Sequence, residues 1–86
     1  MSWDEIAFKE KLENTHVFPG KYIFKFIVKP VFEKKVIALV ADAEIKVKPS
    51  SANKYRSITL TKNMASSEEV IDVYKRAYSI EGIIAL

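Results

Sequence analysis

The sequence contains no cysteine, and only two glycines and three prolines occur among its 86 residues. Without cysteine the chain can form no disulfide framework, no thiolate metal site and no cysteine nucleophile. The scarcity of glycine and proline excludes the collagen-like and low-complexity classes. Long apolar runs are missing too, because the longest covers only residues 36–41. That run is far below the ~20 residues of a membrane span, so no membrane association is expected.

Positive charges exceed negative charges only slightly. Fourteen lysines and arginines face eleven aspartates and glutamates, which gives a formal net charge of +3 and a pI near 9.2. This mild balance predicts a solvated lysine surface rather than a dedicated nucleic-acid patch. Residues 1–5 are acidic and contain no long apolar stretch, so no secretory signal is predicted. Together with the missing cysteines, this favours a cytoplasmic location.

The sequence does contain enough apolar material for one small core. Hydrophobic residues make up 49% of the chain and charged residues 29%, which is the balance of an ordinary globular protein. A chain of this length has room for a single core. Because no disulfide reinforces that core, packing must stabilise the fold, with or without an oligomer interface.

The N-terminal half predicts a helix, a strand and a second helix. Residues 2–14 predict a short helix, because Ser2 and Glu5 stand at capping-box spacing. Residues 21–29 are rich in aromatic and β-branched side chains and predict a central strand. The proline that follows suits the first turn of a helix, and the apolar spacing after it predicts that helix over residues 31–41.

Two later segments alternate between apolar and polar residues with the period of a half-buried strand. They cover residues 44–48 and 55–62, and a turn segment rich in Pro, Ser and Asn separates them. The side chains predicted to face the core are Ile45, Val47, Ile58 and Leu60.

The C-terminal part predicts a helix and a last strand. Ser66 and Glu69 form a second capping box, and the apolar stripe after them predicts the strongest helix of the chain. Residues 79–86 end in a run of apolar side chains and predict a strand paired in the sheet.

The order of predicted elements after the first helix is β-α-β-β-α-β, the ferredoxin-like arrangement. The expected fold class is therefore an α+β sandwich, with a four-stranded antiparallel sheet, two helices on one face and a short N-terminal helix. Residues 1–17 are expected to form an N-terminal helical extension and residues 18–86 the ferredoxin-like domain. The predicted core comprises Tyr22, Phe24, Phe26, Val28, Phe32, Val36, Val40, Ile45, Val47, Ile58, Leu60, Val70, Val73 and Tyr74.

The connection between the two alternating strands concentrates cations and hydroxyl groups. One hypothesis is a plain hairpin connection, in which Pro49 fixes φ and the Ser and Asn side chains bond locally. The other is a small binding site, in which hydroxyls, turn amides and cations converge on a carboxylate or phosphate. The candidate binding residues are Lys48, Ser50, Ser51, Lys54, Tyr55, Arg56 and Ser57.

One stretch of this connection resembles a signature of the YbeD-like family, which comprises small bacterial proteins of unassigned function. The matching residues are Lys48-Pro49-Ser50-Ser51, followed by Tyr55 and Ser57. The resemblance begins at Phe18 and extends to Leu86. It implies an ACT-like, ferredoxin-like fold and the label "proposed lipoate regulatory protein", and it brings no catalytic residues with it.

An acylphosphatase-like enzyme shares this order of elements and is one alternative. Its chemistry needs a glycine-rich cradle of backbone amides between the first strand and the next helix. Here that connection is Val28-Lys29-Pro30-Val31, which has no glycine and includes one residue without an amide proton. The single histidine, His16, stands in a predicted loop without a partner motif. The sequence thus predicts no catalytic residue, no metal site and no cofactor.

An RNA-binding domain is the other alternative, since RNA-recognition domains stack bases on two or three aromatic rings of an open sheet face. The predicted open face offers one aromatic side chain, Tyr55. If the alternation of the first strand were reversed, Phe24 and Phe26 would lie on that face, so their burial separates the alternatives. Nucleic acid is not the expected partner.

These observations favour a small, cytoplasmic, non-catalytic regulatory or adaptor module. Its expected partner is a protein or a small anionic ligand. An exposed strand edge also invites pairing with another strand, so a homodimer through a sheet edge is a further expectation.

Overall fold

The chain folds into three helices and four strands, and the computed structural model describes residues 4–86, with Ser51 described by its backbone alone. The elements are α1 (Glu5–Thr15), β1 (Gly20–Val28), α2 (Glu33–Ile37), β2 (Glu44–Pro49), β3 (Arg56–Met64), α3 (Ser67–Ala77) and β4 (Ile84–Ala85). A 3-10 turn, Pro30–Phe32, leads into α2, and a second, Ser51–Asn53, connects β2 to β3. The order of elements after α1 is the predicted one.

All four strands belong to one antiparallel sheet in the order β2-β3-β1-β4. The central strands β1 and β3 pair over their full length, from Gly20 opposite Met64 to Val28 opposite Arg56. β2 and β4 form the two edges. With helices on one face, this is the expected α+β sandwich of the ferredoxin-like kind.

The covered face of the sheet carries the core. Phe24 and Phe26 on β1 and Ile58 and Leu60 on β3 are completely buried, while the residues between them point to the other face. The alternation predicted for both central strands is therefore confirmed. The other predicted core residues that are buried are Tyr22, Val28, Val36, Val40, Val70, Val73 and Tyr74, and Phe32 is partly buried.

Two predicted core residues on β2 are not buried. Ile45 and Val47 remain 43% and 36% exposed, so their assignment to the core was wrong. Their face was predicted correctly, because the register sets them opposite Leu60 and Ile58. They lack cover because β2 is an edge strand, while the short helix α2 packs on β3.

The helix predicted over residues 31–41 is shorter than expected. It begins as a 3-10 turn and ends as an α-helix at Ile37. Beyond that point the turns tighten, since the Leu39 N–H donates to the Val36 carbonyl, three residues back, at 3.0 Å. Asp42 then adopts a positive φ of 59°, a left-handed conformation that does not continue a helix. The apolar side chains of this segment still reach the core.

The last strand is also shorter than predicted. Of residues 79–86, only Ile84–Ala85 form β4. Gly82 has a φ of +70°, which places a turn just before the strand. The Leu86 N–H donates to the Lys25 carbonyl at 2.9 Å and extends the contact with β1 by one residue.

The N-terminal helix α1 begins at Glu5 because Asp4 caps it. The Asp4 carboxylate accepts a hydrogen bond from the Ala7 N–H at 3.1 Å, and this satisfies one free amide of the first turn. Ser2, the predicted capping residue, lies outside the described residues. α1 packs against α3, and Leu12 contributes a side chain to the core that is only 3% exposed.

Helix α3 begins at the predicted cap. The Ser66 hydroxyl accepts a hydrogen bond from the Glu69 N–H at 3.2 Å, and the Glu69 carboxylate reaches back to the Ala65 N–H at 3.4 Å. The two side chains thus satisfy amide groups at both sides of the helix start. These bonds define Ser67 as the first residue of α3.

Candidate functional site

The sheet face opposite the helices is uncovered, and we call it the open face. The register of the strands arranges its side chains in rows that run across the sheet. From one end to the other, the rows are Asn63 and Lys21; Glu44, Thr61 and Ile23; Lys46, Thr59, Lys25 and Leu86; and Lys48, Ser57, Ile27 and Ile84.

The open face is strongly basic. Its charged members are Lys21, Lys25, Lys46, Lys48 and the single acid Glu44. Four lysines against one glutamate leave an excess of three positive charges, which equals the formal net charge of the whole chain, +3. The remaining ionisable residues therefore balance one another, and the open face carries the net charge of the protein.

The uncharged side chains of the open face are sorted by strand. The middle strand β3 presents half-buried hydroxyl groups, from Ser57 and two threonines. On the side of β4, apolar side chains are exposed: Ile23 is 52%, Ile84 53% and Leu86 67% accessible. From one edge to the other, the face thus carries lysines on β2, hydroxyl groups on β3, lysines and isoleucines on β1, and apolar side chains on β4.

On the helix side, by contrast, many charges are paired. The ion pairs are Lys9–Glu68 at 2.9 Å, Lys75–Glu5 at 2.6 Å, Arg76–Asp72 at 3.0 Å and Arg56–Glu33 at 3.1 Å. The hydrogen bond from Lys9 lowers the pKa of the Glu68 carboxyl to about 2. These four pairs engage acids of the helices, whereas the open face offers its four lysines a single acid, Glu44.

The predicted binding segment contains a hydrogen-bonded turn. The Ser50 N–H donates to the Tyr55 carbonyl at 3.0 Å, and the Ser50 hydroxyl accepts a hydrogen bond from the Tyr55 N–H at 2.9 Å. Asn53 donates its N–H to the Ser50 carbonyl at 2.9 Å. These are the local bonds expected of a hairpin connection. Ser51 begins the 3-10 turn, and Lys54 and Tyr55 follow it with exposed side chains.

Two cations of this segment, Arg56 and Lys48, lie on opposite sides of the sheet. Arg56 lies on the helix side of the sheet, where its Nε donates to the Glu33 carboxylate at 3.1 Å and its Nη1 to the Asn53 side-chain carbonyl at 2.6 Å. Lys48 and Ser57 stand opposite each other on the open face. Among the predicted site residues that belong to the described strands, these two lie on one surface with the other basic side chains.

A cleft that sequence analysis did not identify lies where α1, β1, α3 and the C-terminal residues meet. It has a volume of about 480 Å³, and its lining includes Lys11, His16, Tyr22, Tyr74 and Tyr78. The His16 ring lies 4.9 Å from that of Tyr22. No local motif marks the cleft, because its walls come from segments far apart in the sequence.

The floor of this cleft holds two paired phenols. The hydroxyl groups of Tyr22 and Tyr74 lie 3.1 Å apart and share a hydrogen bond. Burial, and then the bond to Tyr22, raise the pKa of Tyr74 well above the ordinary value of a tyrosine. Tyr74 therefore contributes a hydrogen bond rather than a charge to the cleft.

Comparisons with known proteins give one finding. A family model described as a protein of unknown function, DUF493, matches residues 13–86. Comparisons with curated proteins and with solved structures gave no match. Within residues 4–86, no helix is long and apolar enough to cross a membrane. In the same range, no three histidine or acidic side chains are grouped so that they could hold a metal ion.

Proposed function

The chain belongs to the DUF493 family, the YbeD-like family of proteins of unknown function, and on that premise we propose that it is a small regulatory or adaptor module of the cytoplasm. It binds its partner without catalysis. The proposed binding surface is the open face, and the proposed partner is a protein surface that combines acidic and apolar side chains. The family description names no reaction, so the lipoate-regulatory role that the resemblance implies stays a prediction.

One observation carries this proposal: an uncovered sheet face holds a charge excess equal to the formal net charge of the protein and also presents three exposed apolar side chains. Ile23, Ile84 and Leu86 are each more than half exposed. Exposed apolar side chains next to a charged patch are typical of interaction surfaces. Opposite charge on a partner gives such a surface its specificity, while its apolar contacts exclude water.

The shape of the open face favours a protein over a small molecule. Small ligands bind in concave sites that bury most of their surface, whereas this face is an uncovered sheet surface. The width of the sheet is three inter-strand spacings, and its length is taken as the rise along β1 from Lys21 to Ile27. Their product gives the open face a projected area of roughly 300 Å². Stable complexes bury about 800 Å² on each partner. The contact proposed here is therefore a transient one, as suits a regulatory module.

The structure also bears on the RNA alternative. RNA-recognition domains stack bases on aromatic rings of the open sheet face. Phe24 and Phe26, the aromatic residues of β1 that could serve this purpose, are buried under the helices. Tyr55, the one aromatic residue predicted on the open face, lies just before β3 and is 44% exposed. The described strand positions of that face hold no aromatic ring. The lysines could still contact phosphates, so RNA is an outcome that the experiment must distinguish.

The proposal is tested by titrating the protein, isotope-labelled for NMR, with two probes. One probe is a short acidic amphipathic peptide, with glutamates on one side of its helix and leucines on the other. The other is a single-stranded oligouridine. We expect the peptide to shift the amide signals of Ile23, Lys25 and Thr59, and the double variant Lys25→Glu/Lys46→Glu to weaken its binding about tenfold, because like charges then meet.

The matched control is Lys34→Glu/Lys35→Glu, which makes the same charge change on α2. This variant should bind the peptide much more tightly than the open-face variant does. Equal weakening in both variants would show that net charge alone attracts the peptide, and the open face would then not be the site. Tighter binding of oligouridine than of peptide, lost in the open-face variant, would establish the RNA alternative instead.

A further inference from the structure

The edge strand β2 has an outward side along which no other strand of residues 4–86 pairs with its backbone. In an antiparallel ladder, hydrogen-bonded residue pairs alternate with pairs that are not hydrogen-bonded. The Ser50 N–H bonds to the Tyr55 carbonyl. By the same alternation, the backbone N–H and C=O groups of the even-numbered residues of β2 point toward β3. The backbone groups of Ile45 and Val47 then point away from the sheet. Pro49 agrees with this assignment, because its position on the outward side requires no N–H donor.

The sequence of β2 is complementary to itself when reversed. It runs Glu44-Ile45-Lys46-Val47-Lys48. If a second copy of this strand lies antiparallel to the first with Lys46 at the centre, Glu44 stands opposite the second copy's Lys48 and Ile45 opposite the second copy's Val47. Each contact occurs twice because of the two-fold symmetry. The arrangement places unlike charges, and apolar side chains, directly across from each other.

We propose that two copies of this chain pair through β2 in this register and form one continuous eight-stranded sheet. The backbone groups that point outward are those of Ile45 and Val47, which this register brings face to face as hydrogen-bonded pairs. Their side chains lie on the helix side of the sheet, 43% and 36% exposed. Pairing covers them with the same two side chains of the second copy. Pairing thereby buries Ile45 and Val47, as the alternation of the strand predicts, whereas the single chain leaves them partly exposed.

Neighbouring registers fit less well. Centring the pair on Val47 would set Lys46 opposite the second copy's Lys48 twice, and like charges directly opposite are destabilising. Centring it on Ile45 would pair only three residues of the strand instead of five. The proposed register has one unfavourable contact, between the two copies of Lys46 at the axis.

The proposal goes beyond the binding role of the open face and does not depend on it. The two-fold axis of such a pair runs perpendicular to the sheet, so both helix layers lie on one side and both open faces on the other. The paired molecule would present an uninterrupted face twice as wide. An acidic partner would meet roughly 600 Å² of projected area instead of half that.

A charge-exchange experiment tests both the pairing and its register. Glu44→Lys places a lysine opposite the second copy's Lys48, and Lys48→Glu places a glutamate opposite the second copy's Glu44. Each variant alone should dimerise about tenfold more weakly than the natural chain, as measured by sedimentation equilibrium.

Mixing the two variants restores unlike charges at both contacts. The lysine introduced at position 44 of one chain then faces the glutamate introduced at position 48 of the other. At the second contact, the unchanged Lys48 of the first chain faces the unchanged Glu44 of the second. The mixture should therefore form a heterodimer, and the double variant Glu44→Lys/Lys48→Glu should regain the homodimer.

The control is Lys25→Glu, the same charge change on the central strand β1, and it should dimerise as the natural chain does. Because recovery in the mixture requires both chains to be folded, misfolding of a variant cannot imitate it. A natural chain that stays monomeric at millimolar concentration would overturn the proposal. So would a dimer that the single variants leave intact, or a mixture no more associated than its components. None of these results involves the peptide experiment, so the two proposals fail separately.

Discussion

At the scale of single residues, Tyr74 connects the parts of the fold that lie furthest apart in the sequence. Its ring centroid lies 5.4 Å from that of Phe8 on α1 and 5.4 Å from that of Phe24 on β1. Its hydroxyl shares a hydrogen bond with Tyr22 at 3.1 Å. The residue is only 7% exposed, so ionisation of its phenol would place a charge inside the core.

This burial predicts a characteristic loss of stability in alkali. Above about pH 10, the ordinary pKa of tyrosine, the unfolded chain loses the Tyr74 proton while the folded protein keeps it. The free energy of unfolding then falls as pH rises, by up to about 1.4 kcal/mol per pH unit from this residue. Tyr74→Phe removes that contribution. Urea unfolding should therefore show that the free energy of unfolding of the natural protein, minus that of the variant, decreases steadily above about pH 10. A difference between the two proteins that stays constant with pH would contradict the prediction.

The candidate site shows what a single sequence can and cannot predict about individual side chains. Lys48 and Ser57 were predicted on the open face, and the alternation of their strands is enough to place them there. The partner of Arg56 could not be predicted, because Glu33 is 23 residues away on a helix whose position depends on the whole fold. The cleft around Tyr22 was missed for the same reason.

At the scale of elements, helix α1 is the one whose contribution is least evident from the sequence. Most of it precedes the region that the family model matches. The sequence suggested a helical extension over residues 1–17, separate from the domain. In the structure α1 packs on α3 and places Leu12 in the core, 3% exposed.

Truncating Leu12 tests whether α1 is part of the cooperative fold. Leu12→Ala should lower the free energy of unfolding by about 3 kcal/mol, because it removes a buried side chain and leaves a cavity. The control is Ile6→Ala on the same helix, where the side chain is 73% exposed and the expected change stays within about 0.5 kcal/mol. Both values come from urea unfolding. Equal effects of the two substitutions would mean that α1 is an appendage that unfolds independently.

The elements also show why most of the fold, but not all of it, follows from the sequence. The alternation of residues 55–62 predicted the buried face of β3, because a strand that covers one core places side chains of one parity on that side. The same alternation predicted burial for Ile45 and Val47, and there it failed. Periodicity specifies the face on which a side chain lies, whereas cover depends on the length and position of the helix above it.

At the scale of the whole molecule, the dominant property is the separation of charge between the two sides of the sheet. The helix side is close to balanced and the open face carries the excess. Because surface charges act through solvent, the range of this field is set by the ionic strength, with a Debye length of about 10 Å at 0.1 M.

Salt should therefore weaken partner binding more than it changes the fold. Between about 0.01 M and 1 M salt the Debye length shrinks from roughly 30 Å to 3 Å, and the affinity for the acidic peptide should fall progressively. The ion pairs of the helices are largely on the surface, where each contributes about 1 kcal/mol or less. Thermal unfolding and peptide titration across the same salt series measure the two effects. Affinity that is independent of salt would leave only the apolar part of the open face to explain binding.

The two edges of the sheet are unequal, and this limits how far copies of the molecule can assemble. In the described part of the chain, β2 offers six residues at one edge, whereas β4 offers two at the other. A filament grows only if every subunit can add a neighbour on both sides. In the proposed pair both β2 edges are enclosed by the two-fold symmetry, and the outer edges that remain carry only the two-residue strand β4 beside β1. Pairing through β2 therefore favours a closed dimer over a growing filament.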